Sequence, residues 1–315
     1  MNNKRAHSKP SGSSTATIFI LISVLLWGCE PELYKNEGRL LVVTTTGLIA
    51  DAVKNVAGET VDIIALMGPG VDPHLYKATH GDVRKIAQAD ILLFNGLHLE
   101  GKMITVFEKT RSAKTVVAVT RDIPHGMLIA LDESGRSFDP HIWFDISLWK
   151  HAVETIKVTL QEKDPQHAET FERNAAKYLL TLDSIHQWVQ QSIKQIPGDQ
   201  RVLITAHDAF GYFGQAYEID VRGLQGISTL SEFGLRDVTT LVDFIIERKI
   251  KAIFLETSVS EKSIQAIVHG CNKKGWPVRI GGSLYSDALG DERTGAHTYT
   301  GMVRANVNTI VNSLK

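Results

Sequence analysis

Histidine is the residue type that stands out in this chain, because the sequence contains twelve histidines and only two cysteines, Cys29 and Cys271. The tripeptide Asp-Pro-His occurs twice, ending at His74 and at His141. Proline restricts the backbone dihedral of its own residue, so each of these histidines follows stiffened backbone. Because the chain has many imidazoles and almost no thiols, a metal site in it would use histidine and carboxylate ligands and not cysteines.

Two more candidate metal ligands lie at loop positions in the second half of the chain. His207 follows a predicted strand over 201–205, and Asp287 follows the last clear strand. In doubly wound sheets, ligands bind beyond the carboxyl ends of the strands, so these loops are expected to face one cleft. Three neutral imidazoles and one carboxylate suit a divalent transition metal, whereas calcium or magnesium would want more oxygen ligands. Four protein ligands would enclose the ion, which favours binding over catalysis.

Three further acids follow elements that could bring them next to those imidazoles: Asp145, Asp208 and Glu256. Metal-bound histidines commonly donate their second ring N–H to a carboxylate, and Glu256 ends an apolar strand, where a buried acid needs a partner. Other interpretations stay open at this point. Asp208 could cap a helix, and either Asp-Pro-His could be a helix-capping turn that happens to contain a histidine.

Short apolar runs alternate with helical patterns after residue 38, which predicts an α/β fold with parallel sheets and helices on both faces. Two doubly wound series are expected, one on each side of a long helix. The first has strands at 40–44, 61–66, 91–94 and 115–119, with helices at 48–56 and 81–89. The second has strands at 201–205, 219–224, 252–255 and 278–280, with helices at 209–217, 235–249 and 261–274.

An uninterrupted helical pattern separates the two series. Asp164 before Pro165 is a favourable helix start, and Pro197 ends the pattern. About thirty residues at 1.5 Å each would make a helix of roughly 45 Å, enough to run the length of two domains. The predicted organisation is an N-terminal lobe over 39–163, a linking helix over 164–196 and a C-terminal lobe over 197–315.

Length and composition agree with two globular lobes. At 315 residues, with 43% apolar and 22% charged residues, the chain can form real hydrophobic cores. The formal net charge is -1, from 34 basic and 35 acidic residues, so no basic surplus indicates nucleic-acid binding. Two cysteines cannot form a disulfide framework or a zinc ribbon.

The first 28 residues have the pattern of a signal peptide. Basic residues precede an apolar run that is short for a membrane span and typical of a signal-peptide core. The run ends in a segment that resembles a bacterial lipobox, with Cys29 as the lipidated residue and Trp27 where a small residue is usual. Residues 29–38 would form a lipidated tether. The protein is therefore expected to be exported, as a periplasmic or cell-surface lipoprotein held to a bacterial membrane by acyl chains.

As an ordered set, the motifs resemble the metal-binding solute-binding proteins of bacterial ABC transporters, the TroA-like group that delivers zinc or manganese. The resemblance extends over residues 39–315 and rests on segments at 70–74, 89–97, 139–145, 205–213 and 286–290. It implies two α/β lobes joined by one rigid helix, with one metal in the cleft. By motif, the ligands it implies are His74, His141, His207 and Asp287.

Two features of this resemblance bear on the identity of the metal. Manganese-dedicated relatives commonly carry glutamate where this chain has His207, which favours zinc. Zinc-dedicated relatives often have a loop rich in histidine and acids before the second motif, but residues 124–138 contain a single histidine, His125. Zinc is the first expectation and manganese a close second, and iron(II) stays open.

The chain is expected to be a monomeric binding protein and not an enzyme, and to capture the ion outside the cytoplasmic membrane. The ion would then pass to the permease of an ABC transporter, and the chain would be linked to the ATPase only through that permease. One alternative is a secreted zinc-dependent hydrolase, although no His-Glu-x-x-His motif is present. Others are a surface adhesin on the same scaffold and a binder of haem or a corrinoid. A single rigid helix also predicts small lobe tilts and not a wide closure.

Overall fold

The computed structural model describes residues 38–112 and 114–315, which belong to one compact unit. The predicted signal peptide over 1–28, the lipidated Cys29 and the tether up to residue 37 lie outside the described residues. Within the described ranges, no helix combines the length and the apolar character needed to cross a bilayer.

The first half of the chain forms a four-stranded parallel sheet with helices. Its elements are β1 Leu40–Thr44, α1 Gly47–Ala57, β2 Val61–Ala65, α2 His80–Gln88, β3 Ile91–Phe94, α3 Ile104–Arg111 and β4 Thr115–Ala118. The strand order is β2-β1-β3-β4, and every pair is parallel. The central strands β1 and β3 are apolar and largely buried, as expected where helices cover both faces of a sheet.

The second half repeats the alternation with two parallel strand pairs. Its elements are β5 Val202–His207, α6 Gly211–Tyr217, β6 Asp220–Gln225, α7 Leu235–Glu247, β7 Ala252–Glu256, α8 Lys262–Lys273, β8 Arg279–Leu284 and α9 Tyr299–Leu314. β5 pairs with β6, β7 pairs with β8, and β5 lies beside β7. The α/β class predicted from the alternation is confirmed. The strands and helices predicted for the two series lie within two residues of the observed bounds except at β8, which continues to Leu284, whereas α3 and α9 were not predicted.

Two long helices, α4 Ile146–Lys163 and α5 Ala168–Ile193, lie between these halves in sequence. α5 is shorter than the predicted helix, because Pro165–His167 forms a 3-10 turn and Asp164 contacts the ring of His167 at 2.6 Å. Its 26 residues correspond to about 39 Å. α5 packs against α1 and α4 and also against α9, so it contacts helices from both ends of the chain.

The buried apolar residues form two clusters. The larger contains residues of β1, α1, α4, α5 and α9, and is therefore shared by both halves. The smaller lies among β5, β7, α7 and α8 and includes Cys271, which is buried and free. His74 and Asp287 lie in the loops that follow β2 and β8, His207 is the last residue of β5, and His141 lies in the segment between β4 and α4.

Candidate metal centre

Both Asp-Pro-His segments form the same turn. Asp72 Oδ1 accepts a hydrogen bond from the backbone N–H of His74 at 2.8 Å, and Asp139 Oδ1 accepts one from the backbone N–H of His141 at 2.9 Å. An aspartate bonded to the backbone two residues later makes an Asx turn, and the intervening proline fixes its own dihedral. Each motif therefore presents its histidine on backbone that is restrained twice.

The other two candidate ligands come from the second half of the chain. His207 is the last residue of β5, a strand that is buried along its whole length. Asp287 lies just beyond β8. The indole N–H of Trp143 donates to the backbone carbonyl of Ser286 at 2.9 Å, which fixes the chain immediately before Asp287.

These four side chains converge on one point, with one potential donor atom of each within 4.8 Å of the others. His74 Nε2 lies 3.3 Å from His141 Nε2. Asp287 Oδ1 lies 3.5 Å from His141 Nε2, and Asp287 Oδ2 lies 3.4 Å from His207 Nε2. Because bonds from zinc to nitrogen and oxygen are about 2.0–2.2 Å, donors around one ion lie about 3–4 Å apart. The spacing suits a single cation.

All four side chains are removed from solvent. The exposed fraction is 0% for His141 and His207, 1% for Asp287 and 3% for His74. A catalytic metal keeps an open position for water or substrate, whereas a structural or stored ion is enclosed by protein ligands. The burial therefore favours holding an ion over reacting at it.

Burial and neighbouring charges shift the pKa values of three of the four candidate ligands. Burial lowers the pKa of His74 to about 4, although Asp287 opposes the shift. Burial also acts against charge on Asp287, yet the histidines, His207 foremost, hold the pKa of its carboxyl well below the usual range. For His207 burial is outweighed by the carboxylates of Asp287 and Glu256, which raise its pKa well above the ordinary value.

Two carboxylates hold the ligand imidazoles from behind. Glu256 Oε2 lies 2.5 Å from His207 Nδ1, and Glu256 Oε1 accepts the backbone N–H of His207 at 2.8 Å. Asp139 Oδ1 lies 2.7 Å from His141 Nδ1. Such contacts fix the ring orientation and leave Nε2 for the metal. Glu256 lies where the sequence predicts, but Asp139 was not predicted, although its place inside the Asp-Pro-His motif was an available signal.

Asp145 and Asp208 have surroundings that differ from those predicted. The Asp145 side chain accepts the backbone N–H of Ser147 at 2.8 Å and so caps the N-terminus of α4. Asp208 is half-buried, and burial together with the nearby Asp139 raises the pKa of its carboxyl. Among the described residues, neither carboxylate lies at ion-pair distance from a ligand imidazole, and the orienting role expected of them stays a prediction.

Three buried atoms at the centre of the site have no hydrogen-bond partner within the described residues. They are His207 Nε2 and both carboxylate oxygens of Asp287. An unpaired buried polar atom costs about 1–3 kcal/mol, and more when it is charged. A divalent transition metal accepts nitrogen and oxygen donors and would satisfy all three, so the residues present fit such an ion.

Comparison with known proteins identifies the family of the chain. The family described as ZnuA, zinc-uptake complex component A, periplasmic, matches residues 42–313. The chain belongs to this family. As a member of the ZnuA family, it is the extracytoplasmic metal-binding component of an ABC metal importer and not an enzyme. The hydrolase and adhesin alternatives find no support in this membership.

Known relatives match the chain over most of its length. The manganese-binding lipoprotein MntA of Bacillus subtilis is 48% identical over 304 residues, which covers 96% of this chain and 99% of that relative. The zinc-binding protein TroA of Treponema pallidum is 47% identical over 278 residues, covering 88% and 90%. The solved structure of periplasmic TroA from Treponema pallidum superposes with a TM-score of 0.86 at 47% identity, covering 88% of this chain and 99% of that one.

Proposed function

We propose that the chain carries one divalent transition metal ion as cargo at His74, His141, His207 and Asp287, with zinc the first candidate, manganese the second and iron(II) the third. The observation that carries the proposal is the convergence of four buried donor groups within 4.8 Å of one another. The ion then passes to the permease of an ABC importer, whose ATPase drives uptake.

The donor set supports zinc before manganese. Zinc is well matched to imidazole in four-coordinate sites, whereas manganese favours a larger share of oxygen donors. Both oxygens of Asp287 face imidazoles, so the carboxylate can offer a fourth and a fifth donor atom, and this keeps manganese close behind. Similar relatives named for manganese and for zinc are consistent with either order.

Elemental analysis of the protein purified from its own compartment, without added metal, tests the identity of the cargo. Affinity measured with pure metals is a weaker test, because most nitrogen-containing sites bind zinc more tightly than manganese. We expect one equivalent of zinc per chain. One equivalent of manganese would reverse the order of the candidates, and the absence of any divalent transition metal would contradict the proposal.

Substitution of the ligands tests the site itself. Each of the variants H74A, H141A, H207A and D287N should bind Zn²⁺ more weakly than the wild type. The loss should exceed the factor of about 10–100 that is typical when a residue that only orients a metal ligand is replaced. His269→Ala, on the exposed surface of α8, serves as the matched control and should bind like the wild type. Chelator competition measures both, and wild-type affinity in any of the four variants would remove that residue from the site.

We further propose that residues 1–28 are cleaved, that Cys29 is lipidated, and that residues 29–38 tether a monomer to the membrane. The division into an N-terminal lobe over 39–163, a linking helix over 164–196 and a C-terminal lobe over 197–315 belongs to the same proposal. Mass spectrometry of protein extracted from membranes should show acyl chains on Cys29, and Cys29→Ser should move the protein to the soluble fraction. An unmodified Cys29 would contradict the anchor.

A further inference from the structure

A hydrogen bond between Thr229 and Asp72 joins the two halves of the chain beside the metal site. The Thr229 hydroxyl, in the loop between β6 and α7, donates to Asp72 Oδ2 at 2.6 Å, across 157 residues of sequence. The other oxygen of the same carboxylate, Oδ1, accepts the backbone N–H of His74. One carboxylate therefore connects a hydroxyl of the second half to the backbone of a candidate ligand in the first.

His74 is held differently from the other two histidines. His141 and His207 each have a carboxylate oxygen against Nδ1, at 2.7 and 2.5 Å. Among the described residues, no carboxylate lies at ion-pair distance from a ring nitrogen of His74, and its neighbour Asp72 acts on it through the main chain. The position of the His74 ring therefore depends on the turn that Asp72 closes.

The segments that carry the other ligands are joined across the halves by buried contacts. The Tyr212 hydroxyl donates to the backbone carbonyl of Asp139 at 2.9 Å, and the Trp143 indole donates to that of Ser286 at 2.9 Å. The contact of Thr229 is only partly buried, and Leu230, the next residue of its loop, is 52% exposed. A displacement of this loop would therefore reach His74 before it reached the other ligands.

We propose that Thr229 is a positioning residue for metal retention, which through Asp72 keeps His74 in place until the hydrogen bond between them is broken. The inference rests on the proposed metal capture. Because a hydrogen bond to a carboxylate is charge-assisted, its loss corresponds to a change of about tenfold or more in a rate or equilibrium constant.

The dissociation rate of Zn²⁺, measured by stopped flow with excess chelator, tests this role. Thr229→Val keeps the shape and removes the hydroxyl, and should release Zn²⁺ about tenfold faster than the wild type. Thr229→Ser restores the hydroxyl and should return the rate to that of the wild type. The matched control is Thr239→Val, which removes a hydroxyl that bonds only within α7, to the carbonyl of Leu235, and should leave the rate unchanged.

Hydrogen exchange of the metal-free protein gives a second measurement that needs no bound ion. The backbone amide of His74 should exchange faster in Thr229→Val than in the wild type, while amides around His141 should not change. Equal Zn²⁺ release from Thr229→Val and the wild type, or equal acceleration in Thr229→Val and Thr229→Ser, would overturn the inference. A wild-type protein that binds no divalent transition metal would instead refute the proposed function, so the two failures are distinct.

Discussion

His207 lies between two carboxylates, and its charge in the metal-free protein follows from that position. Burial lowers its pKa, but Asp287 and Glu256 outweigh burial and raise the pKa well above the ordinary value, which favours the protonated ring when no metal is bound. His74, with a pKa of about 4, is already uncharged at neutral pH. A metal binds only the neutral form of imidazole, so the proton on His207 must leave when the ion enters.

Binding of Zn²⁺ at neutral pH is therefore expected to release about one proton per ion, supplied by His207. Calorimetric titration in two buffers with different ionisation enthalpies measures this number from the difference between the apparent enthalpies. The apparent affinity should rise about tenfold per pH unit while the pH lies below the pKa of His207. Identical apparent enthalpies in the two buffers would contradict the charge assigned to this ring.

The carboxylates behind the rings should matter for affinity more than for folding. Glu256→Gln and Asp139→Asn keep the shape but remove the charge that orients the imidazole, and each should weaken Zn²⁺ binding by about 10–100-fold. Asp145→Asn is the matched control, because Asp145 caps α4 and asparagine caps a helix as well as aspartate does. Chelator competition measures all three, and wild-type affinity in Asp139→Asn would contradict an orienting role for Asp139.

The strand β6 passes so close to the end of β5 that there is no room for a side chain at Gly223. A Cβ at this position would lie 2.4 Å from the backbone nitrogen of Asp208 and 2.6 Å from the carbonyl carbon of His207. Both are main-chain atoms, so the segment that carries a ligand would have to move. Gly223→Ala should therefore lower the free energy of unfolding by about 1–3 kcal/mol and weaken Zn²⁺ binding.

Denaturant unfolding and chelator competition measure these two effects. Gly198→Ala is the control, because a Cβ there meets no atom within 4 Å. If Gly223→Ala bound Zn²⁺ like the wild type, the position of His207 would not depend on its contact with β6.

The elements were predictable from sequence to a large extent because each carries its own local pattern of apolar residues. The order of the loops then sufficed to group three histidines and Asp287 at one cleft. The distances between them depend on tertiary packing, which no local pattern contains. Asp139 was not predicted as a partner of His141, because its position against that ring depends on the backbone turn within its own motif. The helix α5 begins at Ala168 and not at Asp164, because Asp164 contacts the ring of His167.

The helix α5 and the larger apolar cluster restrict how far the two halves of the chain can move relative to one another. α5 contacts α1, α4 and α9, and the larger core cluster includes residues of all four helices. A wide opening would expose this shared apolar surface to water at a cost of about 25 cal/mol per Å². We therefore expect loop movement and small tilts to accompany metal binding.

Small-angle X-ray scattering of the metal-free and Zn²⁺-bound protein checks this expectation. The radius of gyration should be nearly the same in the two forms, because no large surface separates. A clear expansion on removal of the metal, fitted by a large hinge rotation, would show that α5 does not restrain the halves.

The near-zero exposure of the four ligands also has a consequence for how cargo leaves. An ion with no side open to water can escape only when part of the surrounding wall moves, so dilution empties the protein slowly whatever the equilibrium affinity. Chelators outside the cell cannot reach the buried ion, so they can bind it only after it has dissociated. We therefore expect the rate of release to be limited by movement of the residues around the site, and contact with the permease to increase that rate.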